Sequence, residues 1–186
     1  NATNYIDGSD GLLLTFFICC LGYYIFLIED TKTISLIKIL LVPVVLNLIL
    51  NMLPSKSKFK IFSGNAGSLF IGFFISFLTI ELYSGFKIHP VYLIWPLWYP
   101  VYDFLFVTIN RALQKKNVLS ADNSHLHHKI LIKFEKNHFK TVFLFLISNL
   151  LIIYFGFLIS GFSEILSLIT FIFIFFLYFA ARLNYK

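Results

Sequence analysis

A succession of apolar runs, each long enough to cross a bilayer and separated by polar breaks, most restricts how this chain can fold. Covering about 30 Å of hydrocarbon at roughly 1.5 Å per helical residue takes about 17 to 25 apolar residues. Six such runs lie near residues 12–28, 34–53, 67–83, 91–109, 140–159 and 163–181. Of the 186 residues 59% are apolar and 13% charged, whereas a soluble domain carries about 25% charged residues. No folded surface of this composition keeps 24 Phe and a matching load of Ile and Leu out of water, so their solvent is lipid. The expectation is an all-α polytopic integral membrane protein, with six transmembrane helices in a single domain over 1–186. The net charge of +6 then bears on loops and orientation, and nucleic acid is not an expected partner.

The basic residues set the direction of crossing. All 15 Lys and Arg except Lys32, Lys38 and Lys87 fall in one set of loops, and by the positive-inside rule both termini and the long 110–139 loop are cytoplasmic. Trp95, Trp98 and Tyr99 interrupt the fourth run together with Pro96 and Pro100, which predicts a bent helix whose freed backbone groups are met by neighbours. Cys19 and Cys20 are adjacent in an apolar run and point about 100° apart on a helix, so they read as buried free thiols. The chain opens on Asn1 with no basic signal-peptide region, and is expected to be a fragment.

Polar side chains gather in three segments, which this topology puts on the cytoplasmic side: NATNYIDGSDGL at 1–12, SGNAGS at 63–68, and Asp103 continuing through ADNSHLHHK at 121–129. Ionisable groups at membrane depth are costly and mark function. In the first segment Asn1, Asn4, Asp7 and Asp10 recur every third residue, so they neighbour one another on a helix until Gly8 and Gly11 break it. Two carboxylates beside two amides suit Mg²⁺ bound through oxygen, or acid and base chemistry. Asp10 or Ser9 alone would instead read as the N-cap of a helix beginning at Gly11.

The second segment, Gly64 to Ser68, opens a helix whose exposed N–H groups attract phosphate, with glycines that let a phosphate approach. Its plainer reading is a capped loop, with Lys56, Lys58 and Lys60 as an orientation signal or a contact to anionic lipid. The third segment holds Asp103, about two turns inside the fourth run, then Arg111, Asp122, His125, His127 and His128. The imidazole spacing does not match a helical zinc pair. It suits binding a diphosphate or passing a proton, against the plainer reading of a solvated loop. Asp103 is also a candidate buried partner for Arg111, while Asn47 and Asn51 share a face and are expected to bond to a neighbouring helix.

Taken in order and spacing, NATNYIDGSDGL, SGNAGSLFIGF and PVYDFLFVTINRALQKKNVLSADNSHLHHKIL resemble the C-terminal half of the polyprenyl-phosphate N-acetylhexosamine-1-phosphate transferases, glycosyltransferase family four, related to the phospho-MurNAc-pentapeptide transferase. The resemblance implies a fold of about eleven transmembrane helices, of which this chain would hold the last six, in the bacterial inner membrane with the active site facing the cytoplasm. It implies attack by undecaprenyl phosphate on the sugar-linked phosphate of a UDP-N-acetylhexosamine, with Mg²⁺ required and UMP released, a step that begins cell-envelope polysaccharides. Asp7 and Asp10 would be the catalytic acidic pair, with Asp7 at the metal. Asn1, Asn4 and Gly64 would contact substrate, and His125, His127 and His128 with Asp122 and Arg111 would form the sugar-nucleotide loop.

The family's glycine turn carries an Asp at the Mg²⁺ position where this chain has Asn65, whose amide oxygen ligates without adding charge. The family's Asp-Asp motif belongs to an earlier cytoplasmic loop. Expected partners are therefore a UDP-N-acetylhexosamine, undecaprenyl phosphate and the bilayer, with a homodimer as a further candidate. Two rival functions stand beside transfer: a catalytically silent relative that binds lipid phosphate or a partner enzyme, and a small transporter, which predicts mid-span charges and an internal repeat.

Overall fold

A computed structural model describes residues 2–117 and 125–184; Asn1 and Asp122 lie outside the described residues. The described chain is helical with no strand: α1 (Ala2–Ile6), α2 (Leu12–Leu27), α3 (Thr31–Asn51), α4 (Gly64–Ser84), α5 (Pro90–Leu93), α6 (Trp98–Leu113), α7 (Leu126–Lys133), α8 (His138–Phe162) and α9 (Glu164–Asn184). Among the described residues, α3, α4, α8 and α9 are long and apolar enough to cross a membrane, and α2 is a shorter apolar helix of 16 residues.

Burial divides these helices sharply. α2 is the most buried of the long helices, with Phe17, Cys20, Leu21 and Tyr24 wholly buried and Phe26 exposed near its end, and both thiols are free and buried. α3 buries only Ile37, Val44 and Asn51, and α9 only Ser167 and Arg182, leaving Ile39, Val42, Phe173 and Phe176 exposed. In water such faces would be untenable; in a bilayer they meet acyl chains. α2 is the axis of an all-α polytopic membrane protein, with the longer helices α3, α4 and α8 packed against it.

The start of α2 is set by glycine, not by a side-chain cap. Gly11 lies in the left-handed region at φ 77°, where an added Cβ would run into Met52, and no side chain caps the helix. The alternative reading of Asp10 or Ser9 as a cap is not realised, because the Asp10 carboxylate pairs with Lys60 and the Ser9 hydroxyl lies 3.2 Å from His138 Nδ1; the Gly11 N–H donates instead to Asn51 Oδ1, whose amide nitrogen donates to the Ile61 carbonyl. Asn51 thus bonds across to a neighbouring segment, as its helix position suggested.

The fourth apolar run is broken as its prolines predict: α5 gives way to a 3₁₀ turn at Trp95–Leu97 before α6 begins. Neighbours meet one freed carbonyl and hold the Trp side chains of the break. Cys20 lies 3.5 Å from the Pro96 carbonyl, Trp98 Nε1 donates to Asn149 Oδ1 at 2.8 Å, and Trp95 Nε1 donates to Ser167 Oγ at 3.0 Å. The Trp95 ring lies so close to Gly156 of α8 that no larger residue fits there.

Candidate functional site

The three polar segments meet at one end of the bundle. α1 packs on α4 because Gly72 has no side chain: a Cβ there would come 2.5 Å from Thr3 Oγ1. One helical turn earlier on α4, Ser68 Oγ donates to Asn4 Oδ1 at 2.7 Å and lies 3.1 Å from the Asn65 carbonyl. These contacts hold Asn4 beside the first turn of α4, where Gly64 adopts φ 60°.

The histidine segment closes the site from the other side. A Cβ on Gly8 would lie 2.7 Å from His127 Nε2 and 2.5 Å from His128 Cε1, so only glycine allows the 1–12 segment to sit against these imidazoles. Between the segments lies a cavity of about 250 Å³ lined by Asn4, Tyr5, Asp7, Gly8, Asn65, His125 and His128. Its residues come from all three sequence segments.

The two carboxylates expected to act together are separated by their partners. Asp7 faces the cavity, and burial, reinforced by the charge of Asp10, raises its pKa from 3.8 to about 6. A carboxylate held that way gains from a cation placed beside it. Asp10 turns away from the cavity and pairs with Lys60, which also donates to the Leu53 carbonyl at 3.1 Å. The Asp10 N–H donates to His138 Nδ1 at 3.0 Å, which fixes the backbone after Asp7.

The three histidines also divide. His125 and His128 line the cavity, whereas His127 is wholly buried behind them, with Nδ1 3.0 Å from the Tyr99 hydroxyl. Burial, aided by the neighbouring His128, lowers the His127 pKa to about 3, so this ring is neutral near pH 7. Its position between Tyr99 and Gly8 packs the loop and does not reach the cavity. Arg111 is buried near the end of α6. Asp103, considered above as its partner, is instead approached by the guanidinium of Arg182 at 3.7 Å.

Tyr5 was not singled out in the sequence, yet it lines the cavity and stacks on His125 with ring centroids 5.1 Å apart. The one available signal was its place between Asn4 and Asp7. For a metal, no three of His, Cys, Asp and Glu gather among the described residues. The donors facing the cavity are the Asp7 carboxylate and the Asn4 and Asn65 amides, an oxygen set that suits a hard divalent cation completing its shell with phosphate and water.

This architecture defines a multi-pass membrane protein with a polar pocket at one end of its helices. Residues 1–83 match the family model described as glycosyl transferase family 4. The chain is 32% identical over 136 residues to the probable undecaprenyl-phosphate N-acetylglucosaminyl 1-phosphate transferase of Bacillus subtilis (strain 168). It is 28% identical over 139 residues to the undecaprenyl-phosphate alpha-N-acetylglucosaminyl 1-phosphate transferase of Escherichia coli (strain K12), and 28% over 136 residues to that of Yersinia pestis. Each match covers 70% of this chain, its N-terminal part, and 37% of the relative. The chain is thus related to glycosyl transferase family 4 and spans a little over a third of the length of these relatives. No solved structure matches it.

Proposed function

We propose that this chain carries the sugar-nucleotide end of a polyprenyl-phosphate sugar-1-phosphate transferase, as the last six helices of that fold, with its pocket at the cytoplasmic face of a bacterial inner membrane. The observation that carries the reading is the single cavity shared by Asn4, Asp7, Asn65, His125 and His128. A nucleoside diphosphate presents several anionic oxygens, which need a cation, N–H donors and imidazoles at close quarters. The imidazoles of His125 and His128 and the first turn of α4 supply two of these, and the oxygens of Asn4, Asp7 and Asn65 would hold the third.

In the proposed reaction a phosphate oxygen of undecaprenyl phosphate attacks the sugar-linked phosphorus of a UDP-N-acetylhexosamine. That P–O bond forms as the bond to the UMP oxygen breaks, and UMP leaves with the electron pair. Asp7, with the Asn4 and Asn65 amides, would hold Mg²⁺, which supplies charge neutralisation of the diphosphate. His125 and His128 would grip phosphate or sugar oxygens, and the first turn of α4 would offer its N–H groups to the same anion. The protein would mainly orient two anions that otherwise repel and stabilise the charge of the transition state, the two means by which phosphoryl transfer is catalysed.

Membranes bearing the protein, given UDP-[¹⁴C]GlcNAc and undecaprenyl phosphate with Mg²⁺, test this: label should enter the lipid phase as UMP is released. No labelled lipid above vector membranes would contradict transfer by this chain. Asn65 favours a second reading, a silent relative that binds lipid phosphate, since an amide adds no charge at the metal. Asn65→Asp separates the two: transfer that appears only in the variant supports silence through Asn65, whereas transfer by the wild-type chain argues against it.

A further inference from the structure

The last helix reaches the cavity through a buried carboxylate that the proposed reaction leaves without a role. Asp103 of α6 is 1% exposed, and each of its oxygens is met by donors. Oδ1 accepts from the Leu126 N–H at 3.1 Å and from the Tyr178 hydroxyl at 2.7 Å, with Arg182 Nη2 at 3.7 Å. Oδ2 lies 2.7 Å from His125 Nδ1. Arg182 is itself fixed against the Phe106 ring, 4.6 Å from its centroid.

A carboxylate surrounded by N–H, O–H and guanidinium groups is an acceptor, so the proton in its contact with His125 sits on Nδ1. The ring is sandwiched besides: Tyr5 stacks on it at 5.1 Å and His127 at 5.8 Å, so it cannot rotate away. With Nδ1 committed to Asp103, Nε2 is the nitrogen left for the cavity that His125 lines. A carboxylate on the far nitrogen fixes ring orientation and tautomer and stabilises the imidazolium that forms when Nε2 takes a proton.

We propose that Asp103, clamped by Tyr178 and Arg182 of α9, is a positioning residue that holds His125 as its Nδ1–H tautomer and presents Nε2 to a phosphate or hydroxyl oxygen in the cavity. The clamp comes from helix α9, beyond the N-terminal 70% matched by the relatives. The ligand assignment rests on the function proposed above; the tautomer and the clamp do not.

Two measurements on the protein in lipid nanodiscs separate these. With ¹⁵N-histidine labelling, and the His125 signals identified by their loss in His125→Gln, wild type should show a protonated Nδ1 and an unprotonated Nε2 above neutral pH. Asp103→Asn should mix the tautomers and Tyr178→Phe should shift the Nδ1 resonance. In parallel, the Kd for UDP with Mg²⁺ should rise about tenfold in Asp103→Asn and by less in Tyr178→Phe, and recover in Asp103→Glu. Tyr178→Phe keeps the carboxylate in place, so it decides the matter if Asp103→Asn does not fold. An Nε2–H tautomer in wild type, or both variants matching wild type in tautomer and UDP affinity, overturns the proposal. Wild type that fails to bind UDP while showing the Nδ1–H tautomer lost in Asp103→Asn would sink the functional reading and leave the clamp standing.

Discussion

The two ends of the bundle use similar side chains differently. At the end away from the cavity, a set of polar groups satisfy one another: Ser160 and Ser167 share a hydrogen bond at 2.8 Å, Ser167 accepts from Trp95, and His89 faces Glu164 at 3.2 Å. At the other end Asp7, Asn65 and His128 face an open volume. Polar groups that complete each other inside an apolar bundle serve packing, whereas convergent groups aimed at a cavity await a ligand. The same contrast recurs within the 1–12 segment, where Asp7 faces the cavity and Asp10 is spent on Lys60.

Substitutions at each end should separate accordingly. The largest effect is expected at Asp7: Asp7→Asn should cut lipid-linked product formation about a thousandfold with little change in melting temperature. Equal losses in Asp7→Asn and Asp10→Asn would erase the distinction between the carboxylates. Next comes Gly8→Ala, whose methyl meets His127 and His128; displacing the imidazoles should weaken UDP binding in calorimetry by about ten- to a hundredfold. Lys60→Met, which strands the Asp10 carboxylate, should destabilise by about 1–3 kcal/mol in denaturant titration and alter UDP affinity far less. Smallest is Ser160→Ala at the far end, about 1 kcal/mol of stability with unchanged binding.

His127 supplies a pH test. Its folded pKa of about 3 lies below the ordinary 6.5, so between these values the unfolded chain binds a proton that the folded chain refuses. This ring therefore costs nothing above pH 6.5 and destabilises progressively as pH falls from there toward 3. The thermal midpoint should drop over that window in wild type and drop less in His127→Asn, which can keep a polar contact to Tyr99. Identical pH curves would mean His127 is not buried as neutral imidazole.

Much of this was legible in the sequence, because run length alone marks lipid-crossing segments and breaks mark their ends. The three polar segments were legible as a site for the same reason, since one topology puts all of them at one end. What periodicity cannot tell is which side chain in a segment turns inward. Asp7 and Asp10 are equivalent by spacing, and the choice between them is made by Lys60, 50 residues along the chain. Nor does a uniformly apolar helix announce that it is central: α2 has no polar face to orient it, and only packing reveals that α3 and α8 lie against it. Tyr178 and Arg182 were hidden because an aromatic and a cation at the end of an apolar run read as an interfacial anchor.

Proximity of the second and third segments is the claim on which the site depends, and cysteine cross-linking measures it directly. In a background with Cys19 and Cys20 replaced by serine, Asn65→Cys with His128→Cys should be joined within one chain by a short bifunctional thiol reagent, and UDP with Mg²⁺ should slow the reaction. Asn65→Cys paired with Glu164→Cys, at the opposite end, should not join. Free reactivity of both cysteines toward a monofunctional reagent with no cross-link between 65 and 128 would contradict the convergence of these segments.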